Sequence, residues 1–306
     1  MLELANIAAQ HARGSILTVC HDGIPVSGNV WQRVWHAQRT ATAWPSTGLF
    51  DTVLLPLPRG KEALHYCLHA AASVLADNGH VLLYGMNDLG IKSAGKVAGG
   101  IFASVECIHT GNHGRIWRLA KPDTKVVKNK PDDFASGTPP HVTYPGLFAG
   151  GKLDDSTALL IANLPHINSN AAVLDFACGI GVIAAAVRRA QPTCRIAAVD
   201  HDPLALLATA RNVPDVTCQL MGQPVGITGT YDYVFSNPPI HEGNTQSFHI
   251  VHDLVMALPQ LLNKGGAAYI VAQVTVPVAR LAKEARLECS AVAATRSFRV
   301  SCVTRD

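Results

Sequence analysis

Val173-Leu174-Asp175-Phe176-Ala177-Cys178-Gly179-Ile180-Gly181-Val182 begins as an apolar run, breaks at two glycines and passes into an apolar stretch of helical period. Strand, sharp turn and helix in succession make one unit of an α/β sheet. The flanking residues repeat it. Ala171 to Asp175 reads as a buried strand and Ile180 to Ala190 as the helix after it. Arg195 to Asp200 is a second strand, followed by a helix over Pro203 to Asn212. Tyr231 to Ser236, a helix from Phe248 to Leu262 and a strand from Ala267 to Val274 continue the alternation. Strands apolar throughout must be covered on both faces, as in a parallel sheet. Right-handed crossovers then give a doubly wound sheet.

The first half echoes the second. Phe50-Asp51-Thr52-Val53-Leu54-Leu55-Pro56-Leu57-Pro58 resembles Tyr231-Asp232-Tyr233-Val234-Phe235-Ser236-Asn237-Pro238-Pro239. Each run precedes a helical pattern and then a turn and strand, Asn78-Gly79-His80-Val81-Leu82-Leu83 in one case and Lys264-Gly265-Gly266-Ala267-Ala268-Tyr269 in the other. Two α/β domains related by duplication are expected, although any two strand–turn–helix units share part of this pattern. The first copy has Pro56 where the second has Asn237, and no comparable glycine loop, so it reads as degenerate. Between the copies, Lys121, Lys125, Lys128 and Lys130 are followed by Pro131, Gly137, Pro139 and Pro140. Charge and prolines without a hydrophobic period read as an exposed linker. The expected boundaries are 1–120, a basic linker at 121–143, and 144–306.

Composition agrees. A length of 306 residues suits about two domains of ~150 residues each. With 48% hydrophobic and 15% charged residues, the chain has ample apolar surface to offset the entropy of ordering, which excludes disorder. Net charge is only +3, but residues 1–130 hold 13 basic and 8 acidic side chains, so an anionic partner is expected at the first half or the linker. No apolar run reaches the ~18–20 residues of a membrane span, and Met1 to Cys20 does not read as a secretion signal. Eight singly placed cysteines without a CxxC fit a reducing, cytoplasmic setting. The histidine pairs His65/His69, His109/His113 and His249/His252 read as partly buried helix residues, and no metal is expected.

Three stretches carry chemistry. At 175–181 the glycines let a ligand approach the backbone and leave helix N-terminal N–H groups pointing at it. The run lacks the full G-x-G-x-x-G spacing, which disfavours a pyrophosphate; a functionless α/β turn is the alternative. Asp200 ends the next strand, 25 residues after Asp175, where a carboxylate can accept both hydroxyls of a ribose. Helix capping falls instead to Asp202 before Pro203. Ser236-Asn237-Pro238-Pro239-Ile240-His241-Glu242-Gly243 follows a buried strand, and its two prolines hold the backbone extended. The Asn237 amide oxygen and a fixed main-chain carbonyl can then accept from one planar NH₂, which leaves the nitrogen lone pair directed at an incoming methyl group.

Together the three stretches resemble the N-P-P-[F/Y/W] amino-methyltransferases, the glycine turn being similar to their D-x-G-x-G-x-G loop with Ala177 for the first glycine. Tyr144-Pro145-Gly146-Leu147-Phe148 and Leu153-Asp154 narrow the resemblance to bacterial ribosomal RNA guanine-N2 methyltransferases, and among these to the small-subunit (16S) enzymes. The resemblance implies two tandem doubly wound Rossmann-like methyltransferase domains in an α/β fold, the first degenerate. It implies S-adenosylmethionine as cofactor, the N2 amine of a guanine in 16S rRNA as target, and a monomer with two pseudo-symmetric domains acting on the small ribosomal subunit.

By the same resemblance, Asp175, Ala177, Gly179 and Gly181 line the methionine end of the cofactor and Asp200 holds its ribose. Gly222 lies near the adenine, and Phe148 and Thr157 sit over the cofactor's entrance. Asn237, Pro238 and Pro239 grip the target amine, with Ile240 and His241 against the base. Three positions depart from the pattern. Ala177 costs roughly 1 kcal/mol if its φ must be positive, Gly222 replaces a polar residue, and Ile240 replaces an aromatic whose stacking is worth ~1–3 kcal/mol. Methylation of a 23S guanine, a protein glutamine or a DNA adenine uses the same chemistry, but the basic linker and degenerate first domain favour RNA. A catalytically weak or inactive RNA-binding assembly factor is the other reading; the three departures support it, and intact Asp175, Gly179, Gly181, Asp200 and Asn237 oppose it.

Overall fold

Two units make up the chain, Met1–Asp132 and Asp133–Asp306. The computed structural model describes residues 2–20, 28–34, 41–130, 134–136, 141–147, 153–239, 241–242, 245–246 and 248–306. The first unit runs α1 (Leu2–Gln10), β1 (Ile16–Cys20), β2 (Asn29–Gln32), β3 (Phe50–Pro56), α2 (Lys61–Ala72), β4 (Leu75–Met86), α3 (Ile91–Ala98), β5 (Phe102–Gly111) and β6 (Gly114–Pro122). Its six strands lie in the order β2-β1-β3-β4-β6-β5, parallel from β2 to β4, with β6 and β5 antiparallel.

The second unit opens with a two-stranded hairpin, β7 (Phe134–Ser136) and β8 (His141–Thr143). Then follow α4 (Asp155–Ala162), β9 (Ala172–Phe176), α5 (Val182–Ala190), β10 (Arg195–Asp200), α6 (Pro203–Asn212), β11 (Thr217–Leu220) and β12 (Tyr231–Ser236). After a short hairpin of β13 (His241–Glu242) and β14 (Thr245–Gln246) come α7 (His249–Leu261), β15 (Leu262–Gln273), α8 (Val278–Glu284), β16 (Glu288–Ala294) and β17 (Phe298–Thr304). The seven-stranded sheet has the order β11-β10-β9-β12-β15-β17-β16. Leu174, Val234 and Ile270 pack on one face under Leu254 and Leu258 of α7 and Leu281 of α8. Val173, Phe235 and Val271 pack on the other, with Leu160 of α4 and Ile183 of α5. Each such fully buried side chain contributes roughly 1.5–3 kcal/mol.

His109 and His113 fall in β5 and in the turn before β6 rather than on a helix. The structure departs from expectation at three further places. The sheet is not wholly parallel, because β17 and β16 add an antiparallel edge. The helix expected from Ile180 starts at Val182, since Gly181 takes a left-handed φ of 79° as its N-cap. The stretch 121–143 is not bare linker. β6 runs through Pro122, and Asn212 of α6 clasps Val142, its Nδ2 donating to the carbonyl at 2.9 Å and its Oδ1 accepting from the N–H at 2.7 Å. A side-chain amide thus supplies β8 with the partners that a neighbouring strand would give.

The two sheets share one pattern of register. When Asp51 is set on Asp232, the pairings of β1 to β6 fall on those of β9, β10, β12, β15, β16 and β17, except at the strand ends, where the pairs Cys20/Gln32, Pro56/Tyr84, Phe102/Pro122 and Gly111/Gly114 have no counterpart. Even the irregularities coincide, between Phe50 and Thr52 as between Tyr231 and Tyr233, and between Cys107 and His109 as between Ala291 and Ala293. Both aspartates brace the start of a neighbouring strand, accepting from Ser15 N and from Ala172 N at 2.8 Å each. Gly79 and Gly266 also correspond: an added Cβ would lie 2.8 Å from Phe50 O in one and 3.1 Å from Tyr231 O in the other. Gly79 thus matches Gly266 rather than Gly265, one residue away from the match suggested by sequence. Among the described residues the first unit has no counterpart of α5, α6 or β11. Its connection from β1 to β2 spans only residues 21–28, against 177–194 in the second.

Candidate active site

Strand order reverses between β9 and β12, and in such α/β sheets ligands bind beyond the carboxyl ends of the strands at the reversal. Ser236 pairs with Phe176, so Asn237 leaves β12 beside the turn that leaves β9 at Ala177. Asp200 ends the adjoining strand β10, opposite Leu220 of β11, and Gly222 lies in the bend just after Leu220.

Within the turn, Ala177 has φ 58°, the left-handed conformation the sequence raised, at a cost of about 1–2 kcal/mol. Thr209 of α6 secures the next residues, donating from Oγ1 to the Gly179 carbonyl at 3.0 Å. A Cβ on Gly181 would come within 2.9 Å of the Thr209 side chain, so glycine is required there on two counts.

Asp175 is fully buried. Its Oδ2 accepts from Ala184 N at 3.0 Å, in the first turn of α5, while Oδ1 has no hydrogen-bond partner among the described residues. Burial pushes its carboxyl up to about 7; the Ala184 bond works against this and the charge of Asp200 adds to it. Asp200 is almost as enclosed, with Oδ2 accepting from Gly179 N and Oδ1 from Asp202 N, both at 2.9 Å. His201 Nδ1 lies 3.2 Å from Oδ1. Asp202 caps α6, accepting from Leu204 N at 2.8 Å.

Asn237 is half-buried, Pro238 buried and Pro239 exposed. The Asn237 Nδ2 donates to Ser156 Oγ and Thr157 Oγ1, each at 2.9 Å, with the Asp154 carboxylate oxygens at 3.4 and 3.5 Å. Asp154 caps α4, accepting from the backbone N–H and the hydroxyl of both Ser156 and Thr157. Burial alone would raise its carboxyl; these four bonds outweigh that and hold it below the usual carboxylate range.

The structure therefore brings Asp175, Ala177, Gly179, Gly181, Asp200 and Asn237 to the ends of three adjacent strands. Thr157 is there too, with its hydroxyl engaged by Asp154 and Asn237. Phe148 and Ile240 lie outside the described residues, and of His241 only the backbone, at the start of β13, is described. Sequence reasoning missed Ser156 and Thr209 and gave Asp154 no role. An Asp followed by two hydroxyl residues at the mouth of a helix signals a cap, but nothing local signals its bond to Asn237.

The residues fit a nucleoside with a cationic tail, as in S-adenosylmethionine. A buried unpartnered carboxylate oxygen lies at one end, the space over Gly179 is open to a distance of 4 Å, and a second carboxylate closes the other end. Among the described residues no three His, Cys, Asp or Glu side chains are grouped to hold a metal ion, and no helix is long and apolar enough to cross a membrane.

Residues 140–301 match the family described as Methyltransferase small domain, and residues 29–137 match Methyltransferase small domain N-terminal. A ribosomal RNA small subunit methyltransferase C of Shewanella piezotolerans is 32% identical over 250 residues, 76% of this chain and 71% of that protein. One of Pseudomonas entomophila is 30% identical over 269 residues, 84% of this chain and 80% of that protein. The structure of a T. thermophilus 16S rRNA N2 methyltransferase, solved with AdoMet and guanosine, is similar with a TM-score of 0.77 at 18% identity, covering 99% of this chain and 92% of that one. The chain belongs to the small-domain methyltransferases, with the ribosomal RNA small subunit methyltransferase C proteins.

Proposed function

We propose that this chain transfers a methyl group from S-adenosylmethionine to the exocyclic N2 amine of a guanine in 16S ribosomal RNA. The observation that carries the reading is the Asn237-Pro238-Pro239 exit from β12, set beside the Ala177–Gly181 turn and braced from α4. The names of the curated relatives support the substrate. The cofactor supplies an electrophilic sulfonium methyl. Asp175 Oδ1 accepts from its ammonium group, the backbone at Gly179 and Gly181 takes its middle, Asp200 takes the ribose, and Gly222 leaves room at the adenine. Phe148 and Thr157 close the entrance. The target guanine leaves its stack, lies against Ile240 and His241, and is gripped at N2 by Asn237 Oδ1 and the Pro238 carbonyl. Positioning, and acceptors preorganised for the positive charge growing on nitrogen, supply the catalysis.

Radiolabelled methyl transfer to purified small subunits, large subunits, naked rRNA, tRNA and protein tests the reading. Label is expected in small-subunit RNA, as N2-methylguanine after digestion. Label confined to 23S rRNA or to protein would overturn it. The protein acts in the cytoplasm as a monomer, with residues 1–120 binding RNA and no cofactor, and with the lysines of 121–143 adding phosphate interactions. Neutralising Lys121, Lys125, Lys128 and Lys130 together is expected to flatten the dependence of log affinity on log salt, by up to ~0.7–0.9 for each phosphate no longer neutralised. An unchanged slope would make these lysines a solvated surface only.

Cofactor binding is expected to depend on pH through Asp175. In the free protein its raised pKa, about 7, stabilises the protonated form. Its contribution to stability is therefore full below the unfolded value and is lost as pH rises through about 7. Accepting from an ammonium group requires the ionised form, so affinity should rise with pH through that range, with proton release. Above the ordinary α-amino pKa of about 8, affinity should fall again. Calorimetry in buffers of different ionisation enthalpy would measure the proton. Asp175→Asn should weaken binding and abolish the rising limb; retention of that limb would show that another group titrates.

A further inference from the structure

We infer that Asp154 is a positioning residue for methyl transfer: through the hydroxyls of Ser156 and Thr157 it dictates that Asn237 presents its amide oxygen, and not its NH₂, to the target amine. The inference rests on the assignment of Asn237 to the target amine and adds what orients it. A carboxamide is nearly symmetric in shape, so only its hydrogen-bond partners decide which end points where.

Polarity around Asn237 runs in one direction. The ionised Asp154 carboxylate can only accept. It takes the single proton of the Ser156 hydroxyl, and that of Thr157 at 2.6 Å. Each hydroxyl oxygen is left with lone pairs alone for its remaining neighbour, and that neighbour is Asn237, 2.9 Å from both. The two protons of one NH₂ match two waiting acceptors. Reversed, the amide would set its oxygen against two hydroxyl oxygens without protons to offer, with the carboxylate oxygens at 3.4 and 3.5 Å behind them. The carbonyl therefore turns away from α4. The same chain of bonds, ending on a negative charge, polarises the amide and makes its oxygen a better acceptor as the target nitrogen becomes positive. Loss of direction, rather than loss of fold, is the expected consequence of removing the charge.

Asp154→Asn separates the two. Asn caps helices as well as Asp does, but its own NH₂ donates to one hydroxyl and frees that hydroxyl's proton for Asn237, so either amide orientation is satisfied. Asp154→Asn is expected to lower kcat about tenfold, the worth of one hydrogen bond to a polarised group. KM for small subunits, cofactor affinity and thermal midpoint should be unchanged. Ser156→Ala/Thr157→Val, which leaves Asp154 its backbone partners, is expected to give a similar loss and carries the test if Asp154→Asn proves unstable. In an Asn237→Ala background Asp154→Asn should have no further effect on the residual rate. A wild-type kcat for Asp154→Asn beside a slow Asn237→Ala would overturn the inference alone, as would the same tenfold loss on both backgrounds. A wild-type rate for Asn237→Ala would overturn the reading of Asn237, and this inference with it.

Discussion

Asn237→Ala is expected to lower turnover by roughly 10²–10³, the loss usual for one preorganised polar partner of the reacting group. Cofactor affinity should barely change, because the Asn237 amide is assigned to the target amine, while the carboxylates assigned to the cofactor, Asp175 and Asp200, lie at the ends of strands β9 and β10. The two effects separate in a single-turnover measurement of methyl transfer alongside calorimetric titration of the cofactor. Asn237→Asp is the sharper control. It keeps an acceptor of the same size but adds a carboxylate beside Asp154, whose oxygens lie 3.4 and 3.5 Å from Asn237 Nδ2. Two carboxylates that close disfavour joint ionisation, so this variant should also be slow, with a rate that depends on pH. If Asn237→Ala methylates small subunits as fast as the wild type, the Asn-Pro-Pro turn is only structural.

Replacement of Asp200 by Ala is expected to weaken cofactor binding by about 1.5–3 kcal/mol, roughly 10- to 150-fold, as for a charge-assisted hydrogen-bond pair. The structure adds a second source of loss. Asp200 Oδ2 holds Gly179 N and Oδ1 holds Asp202 N, so the alanine also loosens the glycine turn and the entry to α6. Asp200→Asn retains shape and one acceptor and should fall between the two. The first unit supplies a natural comparison. The shared register sets Thr18 at the position of Asp175, Gln32 at that of Asp200 and Pro56 at that of Asn237. Neither carboxylate is present there, nor an amide at the position of Asn237; only Gln32 keeps a polar amide. Equal affinity in wild type and Asp200→Ala would remove Asp200 from the cofactor site.

Much of this protein was legible in the sequence because the relevant physics is local. The strands Arg195–Asp200 and Tyr231–Ser236 and the helix Pro203–Asn212 have the limits their residues imply. Apolar runs define the strands, and Asp202-Pro203 marks the helix start. The 175–181 turn and the Asn-Pro-Pro exit were readable for the same reason, since glycine and proline act on their own φ and that of a neighbour. The antiparallel edge was not, because β16 is largely exposed and its apolar stretch, Ala291–Ala294, is mostly alanine, which has little strand preference.

Tertiary structure alone decided what holds the site. Asn237 meets Ser156 and Thr157 across 80 or more residues, Asn212 meets Val142 across 70, and Thr209 meets Gly179 across 30. Each is made by a polar side chain whose distant partner no local sequence pattern signals, and each depends on the assembled fold bringing separate connections together. The sequence by itself determined which residue types stand at the glycine turn, the end of β10 and the Asn-Pro-Pro exit, and the backbone preferences they bring there. Which way the Asn237 amide points, which carboxylate oxygen stays unpartnered and how far Asp175 is shifted depend on burial and distant partners, and these exist only once the sheet is assembled.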